Sequence, residues 1–461
     1  MIWTFAVRPY YWSNWEVGSP PLAIRTGFMA IGTYPLIFVT ASKWNMVTLL
    51  TGHSHERLQT FHRFLGHMFF LLSMLHSFPY LVQGLSEYKV GYEPMKELQY
   101  SIYVTKLDYY WSGFAMLGLL VLLCWFSLSP IRNRFYETFK YTHYASSLTF
   151  LVLFFVHCHD RFDTSYWLWA SVAVYALSVV YRFLRMVVSN NRSSRKASFE
   201  LMPAGMVKLR IQCDSKERWG VGQHYFLGFG SVKPLQSHPF IVINRPSDQN
   251  NELVFLIRQA SGVTKALARH LENKDANATT SVLIDGPFGG MDHDLALYEH
   301  VLLIGGGIGM SFIMPVLQDL LSKTKQSDYP CKSIQVLWSV QEEGIDSISW
   351  MIDELEKATG DIAHLALSIK IYVTGTAAWK HDDDSEMSAP EAPLSYSWYG
   401  RADLKELVAT VSASSESLGI AACGPKSLLY DVRNAAANVQ KQIVVGDANR
   451  EVFLHTQSYD L

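Results

Sequence analysis

The 461-residue sequence is short of net charge and of cysteine, and each shortage excludes something. With 39 Lys and Arg against 41 Asp and Glu, the formal net charge is −2, so neither nucleic acid nor another polyanion is an expected partner. The five cysteines (Cys124, Cys158, Cys213, Cys331 and Cys423) lie far apart. With no CxxC and no Cys/His zinc spacing, neither a disulfide framework nor a zinc site is expected. The opening stretch, MIWTFAVRPYYWSNW, lacks the basic-then-apolar layout of a secretory signal. The usual GxGxxG dinucleotide fingerprint is missing as well.

What the chain does have is apolar and aromatic residues, 49% and 13% of the total, densest in the first 190 positions. Five runs there are about 20 residues long, the length that crosses a bilayer. They cover Leu22 to Ala41, Phe61 to Val82, Tyr110 to Leu128, Tyr141 to Cys158 and Tyr166 to Val187. Aromatic residues crowd their ends, as at Tyr109, Tyr110 and Trp111 and at Tyr166 and Trp167, which favours the bilayer over a soluble helical core. Basic residues gather on one side of the five spans. They are Lys43, Arg57 and Arg63, then Arg132, Arg134 and Lys140, then Arg182, Arg185, Arg192, Arg195 and Lys196. These segments are expected in the cytosol.

Two of the runs carry the same number. His62 and His76 are fourteen residues apart, and so are His143 and His157. At 100° and 1.5 Å per residue, fourteen steps return to within about 40° of the same face, roughly 21 Å further along. Two such helices side by side offer two stacked sites, each with one imidazole from each helix, and that geometry fits bis-histidine haem. A lone histidine in a membrane helix is ordinarily just packed and hydrogen-bonded. Two helices repeating one long spacing exceed that reading, because buried polar groups in a bilayer are costly. Phe69 and Phe150 lie midway on each stripe and are expected between the two layers.

From about Ala197 the pattern turns to short alternating runs. Met206 to Ile211, Tyr225 to Phe229, Phe240 to Asn244 and Leu253 to Arg258 read as strands of a small antiparallel barrel. Gly262-Val263-Thr264-Lys265 then opens a helix running from Lys265 to Asn273, and free N–H groups, a hydroxyl and a cation there suit a diphosphate. Ser281 to Ile284 reads as a strand, and Val301 to Ile304 as a buried one running into Gly305-Gly306-Gly307-Ile308-Gly309 and a helix from Phe312 to Leu321. That is how an α/β sheet receives a dinucleotide. Strands at Ile334 to Val340 and Leu367 to Val373 alternate with helical or polar segments, as in a doubly wound parallel sheet. Residues 380–398 read as an acidic, Pro/Ser-rich surface loop, and Gly419 to Ala422 as the last strand, ending at Cys423-Gly424-Pro425.

In this order the pieces resemble a fungal ferric reductase of the ferric reductase / NADPH oxidase superfamily, over nearly the whole length. The His-x13-His helices carry the resemblance, together with Gly222-Gln223-His224, His238-Pro239-Phe240, Gly286-Pro287-Phe288-Gly289, the glycine loop and Cys423-Gly424-Pro425. It implies an α-helical transmembrane haem domain over 1–190, an FAD-binding β-barrel domain over 197–292, and an NADPH-binding α/β domain over 296–461. It implies two b haems held by His62, His76, His143 and His157. It implies FAD against His238, Pro239 and Phe240, with Gly262, Val263, Thr264 and Lys265 at its diphosphate and Tyr459 over its ring. It implies NADPH at Gly305 to Gly309 and at Cys423 and Gly424, with Arg401 near the adenosine phosphate.

The expected activity is that of an NADPH-dependent ferric-chelate reductase in the plasma membrane, its flavin module in the cytosol. Ferric iron or a ferric chelate is the expected acceptor, and membrane lipid, an iron-uptake protein or a second copy of the chain are candidate partners. A superoxide-generating NADPH oxidase, a non-catalytic partner subunit and a membrane-anchored flavin reductase stay open beside it. The chain departs from the family at Ile241, where a hydroxyl residue is usual, and in its C-terminal residues Gln457 to Leu461. It also shows five spans where the family core has six, so a further helix is expected upstream.

Overall fold

The computed structural model describes the chain except for residues 1–20, 87–107, 160, 192–195, 203–204, 214–216, 231, 234–235, 246–251, 260–261, 273–278, 292, 326–328, 342–350, 352–364, 375–393, 399–400, 447–450 and 459–461. It divides into two compact units, Met1–Leu184 and Arg185–Leu461.

The first unit is helical. Its elements are α1 (Pro21–Ala41), α2 (Met46–Thr51), α3 (His55–Ser86), α4 (Asp108–Phe126), α5 (Ser129–Arg134), α6 (Tyr136–Cys158) and the part of α7 (Ser165–Asn191) up to Leu184, the rest of α7 belonging to the second unit. The punctuation is local. The Asn45 side chain accepts from Thr48 N at 2.7 Å to start α2, left-handed Gly52 closes it, and Pro130 stands in the first turn of α5. Helix α1 packs on α3 and α4 on α6. Their shared core is Ala30, Ile31, Tyr34, Phe69, Leu72, Met116, Leu120, Phe150, Phe154 and Leu168. The outward faces are apolar too: Phe64, Phe78, Leu148, Val180 and Phe183 are all exposed, as lipid-facing side chains are.

All five expected spans are helices, but among the described residues three are long and apolar enough to cross a membrane by length and composition: Pro21–Ala41, His55–Leu81 and Ser165–Asn190. The apolar part of α4 is shorter, Trp111–Phe126. In α6 the histidines and hydroxyl residues that fit it for a site, His143, Ser146, Ser147 and His157, lower its hydropathy.

The second unit holds the β-structure. Strands β5 (Glu252–Arg258), β2 (Met206–Gln212), β1 (Lys196–Met202) and β6 (Thr279–Ser281) form one antiparallel sheet. Strands β4 (Ser237–Ile241), β3 (Gln223–Gly228) and β7 (Leu283–Gly289) form another. A bridge between Val242 and Phe255 ties the two sheets, and both close on Leu209, Ile211, Tyr225, Leu227, Phe255 and Ile284. Helix α8 (Val263–Glu272) adds Val263, Leu267 and Leu271 to that core. The Asn190 side chain caps this layer, accepting from Ile284 N at 3.0 Å and donating to Ile284 O at 2.9 Å. Two expected boundaries move. The fourth strand begins at Ser237 rather than Phe240, and β7 continues through Asp285 to Gly289 instead of ending at Ile284.

A six-stranded, all-parallel sheet follows, in the order β11 (Leu394–Trp398), β10 (Ala366–Thr374), β9 (Ser333–Gln341), β8 (His300–Gly306), β12 (Ser417–Gly424), β13 (Glu451–Ser458). Its central strand β8 is buried on both faces. Val301 and Leu303 join the core of α9 (Met310–Thr324), while Leu302 and Ile304 join that of α10 (Leu404–Ala413) and α11 (Lys426–Val445). Two readings are corrected here. Residues 394–398 are a strand in register with Ile369 to Val373, not part of a surface loop, and their Leu-Ser-Tyr-Ser-Trp alternation has the period of a strand. Ser417–Gly424 is not the last strand, because Glu451–Ser458 pairs along its whole length.

Candidate functional site

In the helical unit the histidine spacing becomes contact. The His62 and His143 ring centroids lie 6.3 Å apart, and those of His76 and His157 lie 6.2 Å apart. Between the two pairs the Phe69 and Phe150 rings meet edge to face at 5.8 Å, with Tyr34 and Phe154 completing an aromatic layer. Helices α3 and α6 thus face each other through side chains rather than by close backbone packing.

Helix α1 fixes the α3 imidazoles. His62 Nδ1 is 3.1 Å from the Ile37 carbonyl oxygen, and His76 Nδ1 is 2.8 Å from that of Ala23. Ala23 and Ile37 are themselves fourteen residues apart, so α1 repeats the histidine spacing in the opposite direction. A carbonyl only accepts, so Nδ1 carries the proton and Nε2 keeps its lone pair, the tautomer that binds a metal. Facing ring centroids 6.3 and 6.2 Å apart would leave room for one metal ion between the two imidazoles of each pair. Among the described residues no group of three or more His, Cys, Asp or Glu gathers as a metal site. Two imidazoles per site, with no third such ligand among the described residues, fit a group that would bring its own remaining donors, as haem does.

In the second unit the nucleotide motifs converge where the order of the parallel sheet reverses, between β8 and β12, at the strands' C-terminal ends. Such switch points are where open α/β sheets bind ligands. Gly305 and Cys423 are register partners there. A Cβ on Gly309 would lie 2.2 Å from the Cys423 carbonyl oxygen, so the two loops touch backbone to backbone. Trp338 Nε1 donates to Gly307 O at 3.0 Å and pins the loop from β9. Ile308 is partly buried against the core. Burial pushes the Cys423 thiol up to about 12, so it stays protonated.

The flavin motifs share the β4-β3-β7 sheet. His238, Pro239 and Phe240 pair with Leu227, Phe226 and Tyr225. His224 is buried between Phe226 and Phe288, at ring distances of 5.6 and 6.1 Å. The Arg185 guanidinium lies 4.8 Å over the Phe288 ring and 3.7 Å from buried Asp285, a pairing that no spacing in the sequence signals. Gly262 is left-handed, φ +62°, and leads into Val263, Thr264 and Lys265 at the start of α8. Ile241 packs against the core around Met310 and Phe312. Arg401 is exposed ahead of Asp403, the cap of α10. Tyr459 lies outside the described residues; Ser458, just before it, pairs with Gly424.

A cavity of about 430 Å³ opens beside Gln223, Gly289 and α9. Lys323 there bonds Asp294 at 2.8 Å and Asp319 at 2.7 Å, and Arg245 reaches Asp319 at 3.3 Å. Its charges cancel, and of the expected motifs it is bordered by Gln223 and Gly289.

A helical unit with paired histidines, an antiparallel two-sheet layer and a doubly wound parallel sheet follow one another along the chain. Three family models match in that order: the ferric reductase like transmembrane component over residues 26–154, the FAD-binding domain over 191–292, and the ferric reductase NAD binding domain over 298–437. Domain by domain, over most of its length, the chain is similar to ferric reductases. It is 29% identical over 368 residues to the probable cell surface ferric reductase kap2 of Aspergillus oryzae, covering 77% of this chain and 48% of that one. It is 29% identical over 382 residues to ferric/cupric reductase transmembrane component 7 of Saccharomyces cerevisiae, covering 81% and 58%. It is 26% identical over 469 residues to ferric reductase transmembrane component 1 of Schizosaccharomyces pombe, covering 91% and 77%. The chain thus spans about half the length of the first two relatives.

Proposed function

We propose that this chain is an NADPH-dependent ferric-chelate reductase that carries electrons across a membrane to ferric iron or a ferric chelate. The observation that carries the reading is the two facing imidazole pairs, at 6.3 and 6.2 Å, on one helical bundle. When bound, FAD converts a two-electron hydride donor into single electrons, and two b haems relay them. Per turnover, NADPH and two ferric ions become NADP⁺, a proton and two ferrous ions.

The chain divides into a haem domain over 1–190, an FAD domain over 197–292 and an NADPH domain over 296–461. His62 and His143 hold one haem, and His76 and His157 the other. His238, Pro239 and Phe240 line the flavin, and the α8 N-terminus with Thr264 and Lys265 receives its diphosphate. Gly305 to Gly309 receive the nucleotide phosphates, Cys423 and Gly424 border the nicotinamide, Arg401 meets the adenosine phosphate, and Tyr459 covers the flavin. The basic segments at Arg57 and Arg63, at Arg132 to Lys140, and at Arg182 to Lys196 support a cytosolic flavin module in a plasma-membrane protein. On this reading His62/His143 face inward and His76/His157 outward. An iron-uptake protein or a second copy of the chain is the candidate partner.

The test is NADPH-driven reduction of a ferric chelate by membranes containing the chain, with and without superoxide dismutase. The expected result is dismutase-insensitive iron reduction with a b-type reduced-minus-oxidised spectrum. Reduction abolished by dismutase instead makes oxygen the acceptor, and a missing haem band overturns the proposal.

A further inference from the structure

The two imidazole pairs are alike in spacing and unlike in support. At the His76/His157 pair both rings are held from outside. His76 Nδ1 meets the Ala23 carbonyl at 2.8 Å, and His157 Nδ1 meets Ser112 Oγ at 3.3 Å. Each ring also rests against a glycine of the helix that holds it. A Cβ on Gly27 of α1 would lie 2.7 Å from His76 Nδ1, and one on Gly113 of α4 would lie 3.0 Å from His157 Cε1. Ser112 is fully buried.

The other pair has one such support, the Ile37 carbonyl 3.1 Å from His62 Nδ1. His143 Nδ1 is buried without a hydrogen-bond partner among the described residues. No glycine among those described would touch His62 or His143 with an added Cβ. The difference is written in the sequence of α4. Fourteen residues on from Ser112, where the histidine spacing calls for a second hydroxyl, stands Phe126.

We propose that Ser112 and Gly113 of α4, with Gly27 of α1, are positioning residues that orient the His76 and His157 imidazoles and tune the haem held by that pair alone. The proposal rests on the bis-histidine reading above. An acceptor on Nδ1–H makes the Nε2 donor more basic, which favours ferric iron and lowers the reduction potential. A glycine against each ring fixes its rotation, and no larger residue fits without moving the imidazole.

The experiment is spectroelectrochemistry with low-temperature electron paramagnetic resonance on the purified full chain. Ser112→Ala is expected to retain both haems and to raise the midpoint potential of one. A tenfold change in its ferric–ferrous equilibrium corresponds to about 59 mV for one electron. Gly113→Ala and Gly27→Ala are expected to alter the resonance of the same haem. Gly118→Ala lies on the same helix, where an added Cβ meets no atom within 4 Å, and is expected to shift neither. His62→Ala removes the other pair, and Ser112→Ala in that background is expected to shift the haem that remains. Two haems with unchanged potentials and resonances in Ser112→Ala and Gly113→Ala overturn this inference and leave the haem reading standing. So does a Gly118→Ala shift as large as that of Gly113→Ala, or a shift that vanishes in the His62→Ala background. An unsubstituted chain without haem overturns the haem reading, and the inference with it.

Discussion

The helical unit and the nucleotide sheet make their candidate sites from opposite materials. In the helices the working parts are side chains, four imidazoles around a layer of Tyr34, Phe69, Phe150 and Phe154. Backbone there is consumed by helix hydrogen bonds and contributes two carbonyls, Ala23 and Ile37. At the sheet the working part is backbone, because a phosphate is best met by free N–H groups at a strand-to-helix turn. Gly309 and the Cys423-Gly424 turn meet so closely that a side chain on Gly309 is excluded. Sites of the first kind are destroyed by removing atoms, and sites of the second kind by adding them.

The largest expected effects test that opposition directly. His76→Ala is predicted to remove one of two haems and bring NADPH-driven ferric reduction to background, while NADPH-driven reduction of a soluble dye at the flavin persists. Haem quantitation beside both assays checks it; iron reduction surviving the loss of one haem sinks the two-haem relay. Gly309→Ala is predicted to do the reverse, leaving both haems in place and abolishing both NADPH activities. An added methyl group 2.2 Å from a backbone oxygen has no flexible side chain to displace. Overpacking of this kind costs about 1–3 kcal/mol or more. Wild-type dye reduction in Gly309→Ala contradicts the close approach of the two loops.

The two regions were also unequally legible in the sequence. The histidine stripe could be read because helix geometry is periodic and local, so His62, His76, His143 and His157 declare a common face from numbering alone. Their supports could not. Ser112 and Gly113 act on His157, 44 or 45 positions away, and a serine and a glycine in an apolar helix carry no local signal of that. The histidines and hydroxyls that mark α6 also depress its hydropathy, and the described apolar part of α4 is short, so among the described residues three of the five expected spans meet the length and composition of a membrane crossing. In the second unit the glycine loop and Cys423-Gly424 were legible as motifs. Their juxtaposition depends on β12 inserting beside β8, a pairing of residues more than 100 apart. The same non-locality hid β11 and β13, edge strands whose neighbours are set by the sheet rather than by their own sequences.

A smaller effect is expected at the periphery of the nucleotide site. Arg401 is exposed, so its charge is screened by solvent and its contribution is modest. Arg401→Ala is predicted to raise the KM for NADPH about tenfold, roughly 1.4 kcal/mol, and to leave that for NADH unchanged. Parallel steady-state assays with the two nucleotides check it, and an equal effect on both removes Arg401 from the adenosine phosphate.

The smallest expected effect separates two reasons for a glycine. Gly309 is glycine for lack of space, whereas Gly262 has no atom within 4 Å of an added Cβ and is glycine for its φ of +62°. Holding alanine at that dihedral costs about 1 kcal/mol of strain. The helix behind it is anchored by Val263, Leu267 and Leu271, which lie in the barrel core and do not depend on position 262. The N–H groups of the first turn of α8 therefore keep their direction. Gly262→Ala is predicted to lower stability by about 1 kcal/mol and to weaken FAD binding less than tenfold. Thermal unfolding with and without added FAD measures both quantities. A Gly262→Ala chain as damaged as Gly309→Ala shows that position 262 also lacks room, through contact with the bound flavin diphosphate, and the distinction between the two glycines then disappears.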